Sequence, residues 1–494
     1  MARIMMEISG SSVFQLSSEE DLMERVHPTD WKNPEPRPVY DLVILGAGPA
    51  GLAAAEEATR VGLATALIER NRLGGNSLNV GSVPSKTLVR AAGAFAAVRD
   101  AHHFGARASE RSPGDFDTVM SRMRRVRARI AEYHSAFRLR ELGVDLFFAD
   151  ARFIGRNAIA AGNTTLSFKK ALVATGARPG SHDIPGLADV GYFTSETIFD
   201  ITTLPRRLTV IGGGPLGCEL AQAFCRLGSQ VTIVEDNPKF LPDEERDAAE
   251  LVSMALSRDG VVVRLNTTVV GARMAADGKI VDTINNDVRD VIQTDEILLS
   301  VGRVANIDDL ALDRAGVAAT PTEGINVDDF LRTTNADVYA AGDVCLTRKY
   351  TNIAQASAKL AVGNAFREQG HELSHFNIPR CTYCDPEIAH IGMHAWDARK
   401  RSVPVKSFTV MMQDVDRAIL DGQDDGFVKI HVRDGTDTIL GATIVAARAS
   451  EMINEISVIM SSGIGMRALA EILHTYPSQC DAIRLAALAF VRDG

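Results

Sequence analysis

Asp41-Leu42-Val43-Ile44-Leu45-Gly46-Ala47-Gly48-Pro49-Ala50-Gly51 is an apolar run of strand type that meets three spaced glycines and then an alanine-rich stretch to about Arg60. Strand, glycine turn and helix in that order are what a dinucleotide-binding fold demands. Gly46 permits the tight turn, Gly48 lets backbone approach a pyrophosphate, and Gly51 lets the helix pack on the strand. The helix N-terminus then faces the phosphates. The next strand, Ala64 to Glu69, ends in a carboxylate suited to a ribose hydroxyl.

The same unit recurs. Leu208-Thr209-Val210-Ile211 leads into Gly212-Gly213-Gly214-Pro215-Leu216-Gly217, a helix to Leu227, and the strand Val231-Thr232-Ile233-Val234-Glu235. The acid follows the first glycine by the same interval in both copies, so one fold per dinucleotide is implied. A single glycine fingerprint could be a mere turn, whereas paired units with matched acids carry the stronger reading.

Between the copies lies Gly74-Gly75-Asn76-Ser77-Leu78-Asn79-Val80-Gly81-Ser82-Val83-Pro84-Ser85-Lys86. With the paired nucleotide units, this segment makes the chain from about Tyr40 onward resemble the two-domain flavin pyridine-nucleotide disulfide oxidoreductases. That is the family of dihydrolipoamide dehydrogenase, glutathione reductase and mercuric reductase. The family's string has the form GGTCLNVGCVPSK, whose two cysteines form a disulfide beside the flavin; Ser77 and Ser82 stand at those places here. A hydroxyl stays protonated where a thiol of pKa about 8.5 can be tuned to a thiolate. Electrons reaching this site therefore cannot be stored on a dithiol. The C-terminal string His474-Thr475-Tyr476-Pro477-Ser478-Gln479-Cys480-Asp481 is similar to the mercuric-reductase-like members, with tyrosine where dihydrolipoamide dehydrogenase carries its catalytic histidine. The chain ends without the cysteine pair that would capture mercury.

The resemblance implies an α/β fold with two Rossmann-like dinucleotide-binding domains, for FAD and NAD, plus a C-terminal α+β dimerisation domain. Residues 1–39 would be an extension, 40–188 with 314–372 the FAD domain, 189–313 the NAD(H) domain and 373–494 the interface domain of a homodimer. Gly46, Gly48, Gly51 and Glu69 would hold FAD, together with Thr175 and Gly176 of Ala174-Thr175-Gly176 and Gly342 and Asp343 of Ala341-Gly342-Asp343. Gly212, Gly214, Gly217, Glu235 and Gly302 would hold the nicotinamide cofactor. Glu235 favours NADH over NADPH, because a carboxylate accepts from a free 2′-hydroxyl and repels a 2′-phosphate. No arginine follows it in Asp236-Asn237-Pro238, only Lys239.

In the family, the residues matching Lys86 and Glu219 pair beside flavin N5, where a cation stabilises the anionic reduced ring; Glu219 is expected in the first turn of its helix. Tyr476 and His474 would shape the acceptor side, and Asp481 replaces the family's orienting glutamate. Tyr476 is open to two readings, a phenolic donor or an interface residue that only packs. His474 is equally open between proton donor and structural residue. Cys381-Thr382-Tyr383-Cys384 is a tempting substitute redox pair, but residues three apart in a strand point to opposite faces.

The 494 residues suit about three domains of about 150 residues each. A net charge of -10 disfavours nucleic acid and anionic membrane as partners. Arg122, Arg124, Arg125, Arg127 and Arg129, in a helical-looking segment from Phe116 to Leu142, are expected on a solvated face. Six scattered cysteines, no signal-peptide pattern and no long apolar run suggest a cytoplasmic protein. The first 39 residues are expected to lie as an extension on the surface. The leading expectation is an FAD-dependent NADH oxidoreductase that passes electrons directly to a small-molecule acceptor. A cysteine-to-serine form of a disulfide reductase and a non-catalytic FAD/NAD-binding scaffold are the alternatives.

Overall fold

The computed structural model describes residues 19–106, 115–180, 182–367 and 370–493, arranged in two compact units. The first takes the chain up to Thr87, then Asp117–Gly176 and the stretch from Ala305 through helix Thr351–Phe366. Its sheet has parallel strands in the order Asp145–Phe148, Thr65–Glu69, Tyr40–Leu45 and Thr164–Val173, with Val338–Ala340 also parallel on Thr164–Val173. Strands buried on both faces need near-continuous apolar sequence. Tyr40–Leu45 supplies it, with Tyr40, Val43, Ile44 and Leu45 all fully buried. Helix Pro49–Arg60 follows through a turn whose Gly46 has φ +96°, and alanines let it lie close against the sheet.

Two expectations are corrected here. The helical-looking segment breaks into Phe116–Ala131, a 3₁₀ turn and Ala136–Glu141, because the Ser135 side chain accepts from Arg138 N at 3.3 Å and starts a new helix. Of its arginines, Arg122 and Arg129 are exposed but Arg127 is buried, donating to Asn79 O at 2.9 Å and pairing with Glu19. The described part of the extension packs along the edge of this unit's sheet. Helix Glu19–Val26 buries Leu22 and Val26 completely, and Asn33 bonds both N and O of Phe148 at the sheet edge. Residues 1–18 lie outside the described residues.

The second unit takes Leu88–Phe116, Ala177–Val304 and the residues from Gly370. Its nucleotide sheet is parallel, in the order Val262–Arg264, Gln230–Val234, Arg207–Ile211 and Glu296–Leu299. A three-stranded antiparallel meander follows the first of these strands in the chain, from Thr268 to Thr294. From Arg380 the unit forms a five-stranded antiparallel sheet, ordered Arg380–Thr382, Glu387–Gly392, Ile439–Ala446, Phe427–Arg433 and Val405–Met411. Every residue of its central strand Ile439–Ala446 is buried, and helices Ala449–Ser461 and Asp481–Asp493 join the same apolar core. Among the described residues, no helix is long and apolar enough to cross a membrane.

Candidate active site

Two turns repeat one geometry. In the first, Glu69 Oε2 accepts from Ala47 N at 2.7 Å and Oε1 from Asn71 N at 2.8 Å. In the second, Glu235 Oε2 accepts from Gly213 N at 2.7 Å and Oε1 from Asn237 N at 2.9 Å. Each oxygen keeps a further lone pair for a hydroxyl donor. Burial raises both carboxyls above the usual range, while these amide bonds oppose it.

The glycines keep side chains out of the way. A Cβ on Gly51 would stand 1.8 Å from Gly46 O, and one on Gly217 would stand 2.2 Å from Gly212 O. Gly48 and Gly214 cap helices Pro49–Arg60 and Pro215–Leu227 without a side-chain cap, and neither first turn carries an acid. Uncapped amide ends with no negative charge fit a pyrophosphate, and the strand-end carboxylates fit ribose hydroxyls, so both turns suit a dinucleotide. Thr175 and Gly176 sit at the end of strand Thr164–Val173, where Thr175 Oγ1 donates to Asn306 O at 2.7 Å and Gly176 O accepts from Asn306 N. Gly342, at φ +76°, opens the 3₁₀ turn that carries Asp343, whose carbonyl accepts from Lys349 Nζ at 2.9 Å. Gly302, at φ +61°, follows strand Glu296–Leu299 and accepts from Gly180 N.

Ser77 lies in the five-residue helix Gly75–Asn79, and its hydroxyl shares a 2.6 Å hydrogen bond with that of Thr351, the first residue of helix Thr351–Phe366. Ser82 opens helix Ser82–Asp100, and Lys86, one turn on and half-buried, shares its face. Glu219 is fully buried a turn deeper in its helix than expected, with Oε1 accepting from Tyr383 N at 2.9 Å.

The C-terminal residues divide. Tyr476 is 73% exposed and its hydroxyl donates to Asp416 Oδ2 at 2.7 Å, which raises the phenol's pKa. The His474 side chain is buried instead, with Nε2 at 2.7 Å from Glu455 Oε1, so the two do not present one polar surface. Asp481 pairs with Arg484 at 2.7 Å in the first turn of the last helix. Burial and the nearby Glu455 carboxylate push the Cys480 thiol up to about 11. Sequence reading missed Thr351 and Glu455 as partners, and no local pattern marks either. Asp416, in the string Asp416-Arg417-Ala418, is likewise marked by no chemistry that the sequence alone announces.

Two tandem dinucleotide turns, each closed by a carboxylate, ahead of an α+β domain define a two-nucleotide oxidoreductase. The family model for pyridine nucleotide-disulphide oxidoreductases matches residues 40–361, and that for the same family's dimerisation domain matches residues 378–487. The chain belongs to this family, whose cofactors are FAD and a nicotinamide dinucleotide. It is 31% identical to mercuric reductase of Lysinibacillus sphaericus, over 92% of this chain and 83% of that protein. It is 29% identical to dihydrolipoyl dehydrogenase of Mycoplasma genitalium, over 90% and 97%. Among solved structures, the HOCl-induced flavoprotein disulfide reductase RclA from Escherichia coli superposes with a TM-score of 0.80 at 26% identity, covering 91% of this chain and 99% of that one. LpdA from Mycobacterium tuberculosis reaches 0.83 at 27% identity, with the same coverage.

Proposed function

We propose that the chain is an FAD-dependent NADH oxidoreductase that works without a redox disulfide, Ser77 and Ser82 holding the places of its relatives' cysteines. Electrons would go to a small-molecule acceptor such as a quinone, metal ion, dye or oxygen. The observation that carries this reading is the Ser77 hydroxyl, engaged by Thr351 where the resemblance puts a redox sulfur. Four of the six cysteines offer a poor replacement: burial pushes Cys218 and Cys225 up, Cys345 up to about 12 and Cys480 up to about 11. When bound, FAD supplies hydride acceptance from the nicotinamide and release of electrons to the acceptor. Glu69 and Glu235 would hold ribose hydroxyls, Lys86 would supply the cation for reduced flavin, and Tyr476 would face the acceptor in a homodimer.

Anaerobic mixing with NADH, followed by an acceptor screen, tests the proposal. Bleaching of the oxidised flavin band and turnover of a quinone, dye or metal ion, with no turnover of lipoamide or glutathione disulfide, is expected. Disulfide turnover by the native protein would refute it, and absence of bleaching would favour a binding scaffold. A second reading, a disulfide reductase lacking its cysteines, draws support from relatives named as mercuric reductase and disulfide reductase. Ser77→Cys with Ser82→Cys separates the two: disulfide or mercuric-ion turnover gained by the double variant favours the second.

A further inference from the structure

Helix Gly75–Asn79 is too short to stabilise itself, since a helix gains one hydrogen bond per residue only after a costly first turn. It also starts from two glycines at positive φ, Gly74 at +86° and Gly75 at +53°. Its order must come from outside. Asn79 Nδ2 donates to Leu73 O at 3.0 Å and Gly75 O at 2.9 Å, and Asn79 O accepts from the buried Arg127 Nη1 at 2.9 Å. Arg127 Nη2 pairs with Glu19, which also meets Arg72 at 3.2 Å. From the same N-terminal segment, Val26 O accepts from Leu73 N at 3.0 Å and the His27 ring bonds Asn71 O. The His27 ring stacks on Phe148 at 4.2 Å and Trp31 Nε1 donates to Leu146 O at 3.3 Å, seating the segment along the sheet edge.

We infer that residues 19–39 are a brace for the Ser77 helix, with Glu19 and Arg127 as its positioning residues. Both ends of that helix are tied to the segment, the N-terminal end through Leu73 and the C-terminal end through Arg127. The family match begins only at residue 40, so the segment lies outside the matched family model. The charge on Arg127 explains why Glu19 matters: a buried guanidinium left without its carboxylate destabilises whatever encloses it. That the braced helix lies against the flavin rests on the proposed function; that the segment orders the helix does not.

The test uses the purified holoprotein with Glu19→Ala and with the double variant Glu19→Ala/Arg127→Met. The single variant leaves a buried cation unpaired and is expected to melt earlier. The double variant removes that charge and is expected to recover most of the melting temperature, yet it still lacks the donor to Asn79 O. Amide exchange over residues 75–80 should then rise by about tenfold or more, as for loss of a hydrogen bond from a charged donor, with strand Tyr40–Leu45 unchanged. The oxidised flavin absorption band should shift in the same variant without any NADH. Native exchange over residues 75–80 in the double variant would overturn the brace. Raised exchange with a native flavin band would keep the brace and overturn its placement at the flavin, whatever the acceptor screen returns.

Discussion

Single residues matter at the two glycine turns because those turns leave no spare volume. Gly51→Ala would drive a Cβ into Gly46 O, and backbone cannot yield as a flexible side chain can. Overpacking at such a contact costs about 1–3 kcal/mol or more. The variant is expected to purify with depleted FAD and a lowered melting temperature, read by the ratio of flavin to protein absorbance. Glu235→Ser keeps the turn small but removes the acceptor held by Gly213 N and Asn237 N. A hydrogen bond to a charged group contributes about 1.5–3 kcal/mol, so KM for NADH should rise roughly tenfold or more while NADPH gains relative to it. Steady-state kinetics with both nucleotides checks this, and an unchanged preference would remove Glu235 from cofactor choice.

At the scale of elements, the interface sheet carries a buried histidine. His390 Nδ1 bonds Thr443 Oγ1 at 2.9 Å, Nε2 bonds Gly392 O at 3.1 Å, and the His394 ring stacks on it at 3.5 Å. Burial, then the positive charge of Arg380 and the neighbouring His394, holds its pKa well below the usual value, with Glu245 opposing. A depressed histidine binds its proton in the unfolded chain first. Its contribution is therefore complete above about pH 6.5 and is lost as pH falls below that, by up to about 1.4 kcal/mol per pH unit. Melting curves between pH 7.5 and 5.5 should fall toward acid, and His390→Gln should flatten the fall. The two nucleotide units were legible beforehand. The run 41–45 and its glycines gave strand Tyr40–Leu45 and helix Pro49–Arg60, because local periodicity and turn chemistry agree there. The brace was not legible. Whether an arginine in a helix faces water or a carbonyl depends on which loop lies over it, and Arg127 meets Asn79 and Glu19 through contacts distant in the chain. Thr351 meets Ser77 across 274 positions, with no pattern joining them.

For the whole molecule, the dimerisation domain leaves a conspicuous surface. Leu473 is 96% exposed beside the 73% exposed Tyr476 and the partly exposed Ile472, an apolar stretch of the kind that marks an association site. Leu473→Glu is expected to shift the protein toward monomer in light-scattering chromatography, with loss of acceptor turnover following dissociation. An intact, fully active dimer would take this segment out of the interface. The first unit has a different lesson, since its sheet is assembled from separated stretches: Val338–Ala340 pairs with Thr164–Val173, and Gly342 and Thr351 arrive later still. The second nucleotide sheet runs without such a gap, from Arg207 to Leu299. During synthesis from the ribosome, the second nucleotide sheet can therefore close before the first, which precedes it in the gene. The nascent chain must hold its opening strands unfinished until the later ones emerge.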